Sequence, residues 1–132
     1  MNRADVRFGT GKLNQAISVG THSLVADVSM AEGGDATGPS PHDYLAVALG
    51  ACTSMTLKMY AVRKAWPLRD ARTTVTILEA DGVARFARAI TLVGELEAEQ
   101  KTRLLEIANR CPVHKLLSGK IVIETRLEPI VR

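Results

Sequence analysis

The sequence predicts an α+β domain with mainly antiparallel sheet, and three observations carry that class. Short runs with apolar residues near alternate positions, separated by glycine turns, fill the chain before Val28. A Ser-Pro start signal at Ser40-Pro41 opens a long, strongly apolar helical pattern. A second pair of strand-like runs around Asp81-Gly82 then precedes another helical pattern and a last apolar run. The order is β-β-β, long helix, β-β, helix, β.

The first strands are expected over Arg3 to Phe8, Leu13 to Val19 and Ser23 to Val28, with Gly9-Thr10-Gly11 and Gly20-Thr21 as turns. Glu32 to Pro41 is a loop by composition, rich in Gly, Pro, Ser and Asp. Ser40 can cap the helix, Pro41 suits its first position, and Asp43 complements the positive end of its dipole. The helix runs from Pro41 to about Lys64 and stops at Trp66-Pro67. Leu45, Ala48, Cys52, Met55 and Met59 share one face at spacings of three or four. Val47, Leu49, Leu57 and Tyr60 make the other faces apolar too, so burial on most sides is expected, inside the domain or between two subunits. Thr73 to Leu78 and Ala84 to Leu96 read as a hairpin about Asp81-Gly82. A second helix over about Glu97 to Arg110 carries Leu104, Ile107, Ala108 and Cys111 on one stripe. Pro112 interrupts it, a short turn of helix follows to Leu117, and Ile121 to Leu127 reads as a final strand.

At 132 residues the chain is the size of one domain, expected over its whole length. Its 46% apolar and 23% charged residues fit a folded globular protein and exclude disorder and fibrous repeats. The net charge of +3 is spread along the chain, and one Trp, two Tyr and two Phe offer little to stack bases on. Nucleic acid is a poor partner for such a surface. No uninterrupted apolar stretch reaches the length of about 18 residues expected of a spanning helix. The polar start, Asn2-Arg3-Ala4-Asp5, has no signal-peptide core. A cytoplasmic protein without membrane contact is expected, and in that compartment its two cysteines are not a permanent staple.

Both cysteines fall on apolar helical stripes, where the plain role is that of a small buried hydrophobe. Pro112 gives Cys111 a second possibility by placing it at the N-cap of a new helical turn. There the helix dipole favours the thiolate, and His114 and Lys115 stand close in sequence. Cys52 is the opposite case. In mid-helix, desolvation raises its pKa, so it needs a cation from elsewhere to become reactive. Lys12 and Arg7 in the N-terminal strands are candidates. Cys111-x-x-His114 is also half of a zinc-ligand pattern that Cys52, His42 or His22 would have to complete.

Two segments together resemble the OsmC/Ohr family of osmotically induced and organic hydroperoxide resistance proteins. One is Gly38-Pro39-Ser40-Pro41-His42-Asp43-Tyr44-Leu45, leading through Ala48-Leu49-Gly50-Ala51-Cys52-Thr53. The other is Cys111-Pro112-Val113-His114-Lys115. The Ser-Pro-His-Asp sequence resembles an OsmC-like subgroup. The resemblance implies an intertwined homodimer with long helices at its centre, antiparallel sheets around them and active sites at the interface. It implies that Cys52 attacks a hydroperoxide, that Cys111 resolves the resulting sulfenic acid as a disulfide, and that an external dithiol restores both. No cofactor or metal is implied.

Two positions depart from the family's peroxidases. His42 stands where they carry a Glu, and Lys12, after Gly11, stands where they carry an Arg. Lys keeps the charge but lacks the planar fork that grips a carboxylate. The supporting set expected around Cys52 and Cys111 is Lys12, His42, Asp43 and His114, with Lys12 held by Asp43 or His42. Thiol-dependent reduction of organic hydroperoxides is the leading expectation. The alternative is a non-enzymatic protein of the same fold that binds a small apolar ligand at the dimer interface.

Overall fold

The structure, a computed structural model, describes residues 2–132. The chain forms β1 (Asp5–Phe8), β2 (Gln15–Val19), β3 (His22–Ala26), α1 (Pro41–Lys64), β4 (Asp70–Ala80), β5 (Val83–Val93), α2 (Ala98–Ala108) and α3 (Pro112–Ser118). A single 3-10 turn, Met30–Glu32, interrupts the loop before α1. Two compact units divide these elements. One takes the chain up to Gly50 together with Thr74–Ala89, and the other takes Ala51–Thr73 with Ile90–Arg132. The helix α1 begins in the first unit and ends in the second, whereas the β4–β5 hairpin has its tip in the first unit and both of its ends in the second.

In the first unit, β1, β2 and β3 form an antiparallel meander, with Val6 opposite Ile17 and Ile17 opposite Leu24. The loop that follows is tied down by Asp27, a carboxylate only 3% exposed. It accepts hydrogen bonds from the Thr37 hydroxyl and from the main-chain N–H groups of Thr37, Val28 and Asp35. Ser40 and Asp43 then start α1 by reciprocal bonds: the Asp43 N–H donates to Ser40 Oγ, and the Ser40 N–H donates to Asp43 Oδ2. This is a capping box built with Asp. The Tyr44 hydroxyl donates to the Val25 carbonyl and fixes the first turn of α1 to β3.

In the second unit, Leu57, Tyr60 and Ala61 of α1 pack with Leu68 and with Leu104, Ile107 and Ala108 of α2. Trp66, Ala71, Ile90, Leu92 and Leu96 close around them. Trp66 meets Tyr60 edge-on at 5.5 Å, and Arg103 donates to the Tyr60 hydroxyl at 3.1 Å. Gly94 lies at φ +145° with the Pro67 carbonyl where a Cβ would stand, which reserves this position for glycine. At the hairpin tip Asp81 and Gly82 both take positive φ, 53° and 74°, as a two-residue turn of right-twisted strands requires.

The elements differ from the sequence expectation in two places. Leu45, Met55 and Met59 were expected to be buried. Within its own chain α1 buries the neighbouring stripe of Leu49, Thr53, Leu57, Tyr60 and Ala61 and leaves Met55 64% and Met59 70% exposed, so only the between-subunit form of that expectation would cover them. A helix apolar on every face gives its sequence no means of choosing the stripe. By length and composition α1 would also suffice to cross a membrane, because the average over its apolar window outweighs the interspersed Thr and Ser. The second difference is at the C-terminus. Ile121 to Leu127 is not a strand; it has no regular secondary structure, with Ile123 85% and Leu127 93% exposed. β-rich composition needs a neighbouring edge to pair with, and within one chain this segment has none.

The Asp27 hydrogen bonds make a prediction for acid stability. The Thr37 hydroxyl and N–H, then the Val28 N–H, hold its carboxyl below the ordinary carboxylate range against the opposing effect of burial. The stabilisation is therefore complete above the unfolded-state pKa of about 3.9 and is lost as pH falls from there through the lower folded value. Asp27→Asn should lower the urea midpoint at neutral pH and flatten its fall on acidification. The acid slope should not vanish, because Ser40 holds Asp43 low as well.

Candidate active site

Cys52 sits on α1 and is half-buried, whereas Cys111 is wholly buried at the corner between α2 and α3. Both belong to the second unit. Leu104, Ile107, Ala108 and Cys111 form the inward stripe of α2 and its extension, as their spacing predicts. Pro112 at the first position of α3 makes Cys111 its N-cap, with extended backbone at φ −59° and ψ 135°. A sulfur thus takes the place that a Ser or Asp oxygen usually fills.

The Cys111 Sγ accepts the His114 main-chain N–H at 3.3 Å and the Thr53 hydroxyl at 4.0 Å. The Val113 N–H and the Cys52 thiol add to their effect on its ionisation. Burial opposes a thiolate here, yet these four groups outweigh it and draw the Cys111 pKa below the ordinary cysteine value. Burial pushes the Cys52 thiol up. Its hydrogen bond to Cys111 and the Cys111 charge add to that rise, against the Val113 N–H and the Thr56 hydroxyl. Each thiol influences the ionisation of the other, and the Val113 N–H influences both. Within a single chain the fold therefore brings together the two cysteines, Thr53, Thr56 and the amides of Val113 and His114.

His114 enters this set through its main chain. The other three expected supporting residues lie in the first unit and have partners there. The Lys12 main-chain N–H donates to Asp35 at 3.0 Å. His42 Nε2 meets Glu79 at 3.2 Å, and Asp43 is taken by Ser40. Within one chain the partners of His42 and Asp43 are thus Glu79 and Ser40 rather than Lys12. For Asp43 the reason is local: three residues beyond a capping Ser, a carboxylate closes the capping box. His42 finds a carboxylate on the hairpin that no sequence pattern marks. Among the described residues, no three His, Cys, Asp or Glu side chains gather in a way that could hold a metal ion. The Cys111-x-x-His114 spacing is instead explained by the capping bond.

Thr53, Thr56 and Val113 went unnoticed in the sequence. Thr53 did leave a trace, as a hydroxyl within the stripe Leu49–Thr53–Leu57. Beside the site on α1, a groove of about 420 Å³ is lined by Ser54, Met55, Lys58, Met59, Leu68 and Ala71, with Arg69 and Asp70 at its edge. Cys52 is not among its lining residues.

A fold with this element order, and a cysteine pair joining its long helix to a Cys-Pro corner, defines a class that comparison with known proteins identifies. Residues 33–126 match the pattern of the OsmC-like protein family, so the chain belongs to that family. Solved structures agree on the fold. An OsmC-like protein from Mycoplasma pneumoniae superimposes with a TM-score of 0.77 at 16% identity, over 90% of this chain and 88% of its own. A protein of Psychrobacter arcticus, titled for osmotic stress induction and detoxification, gives 0.74 at 23% identity over 88% of each chain. An organic hydroperoxide resistance protein of Bacillus subtilis gives 0.62 at 20% identity, over 90% of this chain and 91% of its own. Comparison with curated protein sequences gives no significant match.

The hydroxyl of Thr53 is a testable part of the site. Thr53→Val keeps the shape and removes one donor from the Cys111 sulfur. It should move formation of the first thiolate to higher pH, followed by thiolate ultraviolet absorbance, while the far-ultraviolet circular dichroism is unchanged.

Proposed function

We propose that this protein reduces organic hydroperoxides through a redox cycle of Cys52 and Cys111. The observation that carries this reading is that the wholly buried Cys111 sulfur accepts from the His114 N–H and from Thr53, the immediate neighbour of the half-buried Cys52. Family membership supports it, since relatives of this fold include organic hydroperoxide resistance proteins. Cys52, the more accessible sulfur, attacks the peroxide and becomes a sulfenic acid. Cys111 condenses with it to a disulfide, and an external dithiol returns both to thiols. The apolar surroundings on α1 favour organic over hydrogen peroxide.

The functional form we propose is a homodimer. The exposed Met55, Met59 and Val62 on α1 and the exposed Ile121, Ile123 and Leu127 at the C-terminus are more apolar surface than a monomer of this size leaves to water. An interface of the obligate class, above about 2,000 Å², would cover them. Sedimentation at micromolar concentration should give twice the chain mass, and a monomer there would remove this part of the reading.

A second reading rests on the apolar groove beside α1: a non-enzymatic protein of the same fold that holds a small apolar ligand. The two separate in one experiment. With an organic hydroperoxide and a dithiol, the wild type should consume peroxide and pass through an intramolecular Cys52–Cys111 disulfide seen by mass spectrometry. Cys52→Ser should abolish consumption. Cys111→Ser should oxidise once per protomer and then stall, with Cys52 advancing to sulfinic and sulfonic acid. Two free thiols after peroxide treatment of the wild type would favour the binding protein.

A further inference from the structure

Cys111 is the last residue in the sequence that its own chain buries: Leu104, Ile107, Ala108 and Cys111 lie inside, and none of residues 112–132 does. The helix that follows, α3, is seven residues long and has no buried side chain of its own. What starts it is Cys111. The sulfur accepts the His114 N–H at 3.3 Å, and the carbonyl accepts the Lys115 N–H at 3.1 Å. The same sulfur receives the Thr53 hydroxyl at 4.0 Å, which ties the corner to α1. This burial is complete within one chain, so it does not depend on a partner subunit.

We propose that Cys111 is a redox-sensitive cap: with its sulfur reduced it holds the start of α3, and as half of a disulfide it lets that turn go. The disulfide rests on the peroxidase reading above; the inference adds what the disulfide does to the fold. To resolve a sulfenic acid, Cys111 attacks as a thiolate. An anionic sulfur is the acceptor to which an N–H and an O–H bond most strongly.

The step that removes this acceptor balances. The Cys111 thiolate attacks the Cys52 sulfenic sulfur, the S–S bond forms as the S–O bond breaks, and hydroxide leaves to take a proton from solvent as water. The negative charge departs with the hydroxide. The Cys111 sulfur is left neutral, a weak acceptor, with its direction set by the bond to Cys52 instead of by the His114 N–H. Since α3 has no buried side chain to hold it in place, the loss reaches its first turn directly. Two electrons and two protons from the external dithiol restore the thiols and the cap. Oxidation is thereby reported at the start of α3 and passed to the segment behind it, which carries the exposed Ile121, Ile123 and Leu127.

Amide exchange followed by nuclear magnetic resonance on the full chain tests this, with diamide as the oxidant so that no peroxide is involved. Diamide takes two electrons and two protons from the pair of thiols and leaves the disulfide. On oxidation the wild-type His114 and Lys115 amides should exchange faster by roughly two- to thirtyfold, the span expected for loss of an N-cap. Leu104 and Ile107 in α2 should keep their rates, and a dithiol should reverse the change. Cys52→Ser removes the disulfide partner, so its His114 amide should not respond to diamide. Cys111→Ser keeps a capping oxygen and should not respond either. Unchanged exchange at His114 in the wild-type disulfide would overturn the proposal, and so would failure of diamide to join the two thiols. Both are read without a variant. Equal acceleration throughout α2 would overturn it too, since that is general loosening. Peroxide consumption with an unmoved His114 amide would keep the redox cycle and remove the switch. A responding amide without peroxide consumption would do the reverse.

Discussion

The packing of α2 against the second half of α1 is the contact on which the site depends. Leu104, Ile107 and Ala108 meet Leu57, Tyr60 and Ala61 in one buried apolar core. The α2 stripe continues one step further to Cys111, so the same packing that stabilises the unit delivers that sulfur to α1 beside Cys52 and Thr53. Burial of this order contributes roughly 2 kcal/mol for each large apolar side chain. That is ample to hold a sulfur in place against the cost of desolvating its polar neighbours. Pro112 then turns the chain, and the turn supplies the amides that bind the sulfur.

Much of this was legible in the sequence because it is local. Ser40-Pro41 and Trp66-Pro67 bracket α1 at both ends, and α1 ends at the expected Lys64. The Thr, Val and Ile of β4 alternate between half-buried and exposed along the strand, and Asp81-Gly82 sets its turn. The Cys-Pro step marks an N-cap without any knowledge of the fold. What failed was what locality cannot decide. An all-apolar helix does not declare which stripe faces the core of its own chain, and here Met55 and Met59 are not on it. A run such as Ile121-Val122-Ile123 carries strand propensity but not the partner that makes a strand.

The site divides in the same way. That Cys111 would favour the thiolate and that Cys52 would resist it both follow from position along a helix. That the Cys111 sulfur would reach Thr53, next to Cys52, is a long-range fact, and only the family resemblance pointed to it in advance. The search for a cation to assist Cys52 led to Lys12, yet in this structure the donors at the sulfurs are hydroxyls and peptide amides. Periodicity and charge patterns do not register an amide, because every residue except proline has one.

That last point has a consequence for how such a site ages. A charge held by a guanidinium disappears with one substitution, whereas the N–H groups of Val113 and His114 belong to the polypeptide and survive exchange of either side chain for anything but proline. Mutational drift can therefore rewrite the neighbourhood of Cys111 while its electrostatics are inherited with the backbone. Two chains with little sequence in common could keep this sulfur equally acidic, so long as each retains the cysteine, the proline after it and the helical turn they begin.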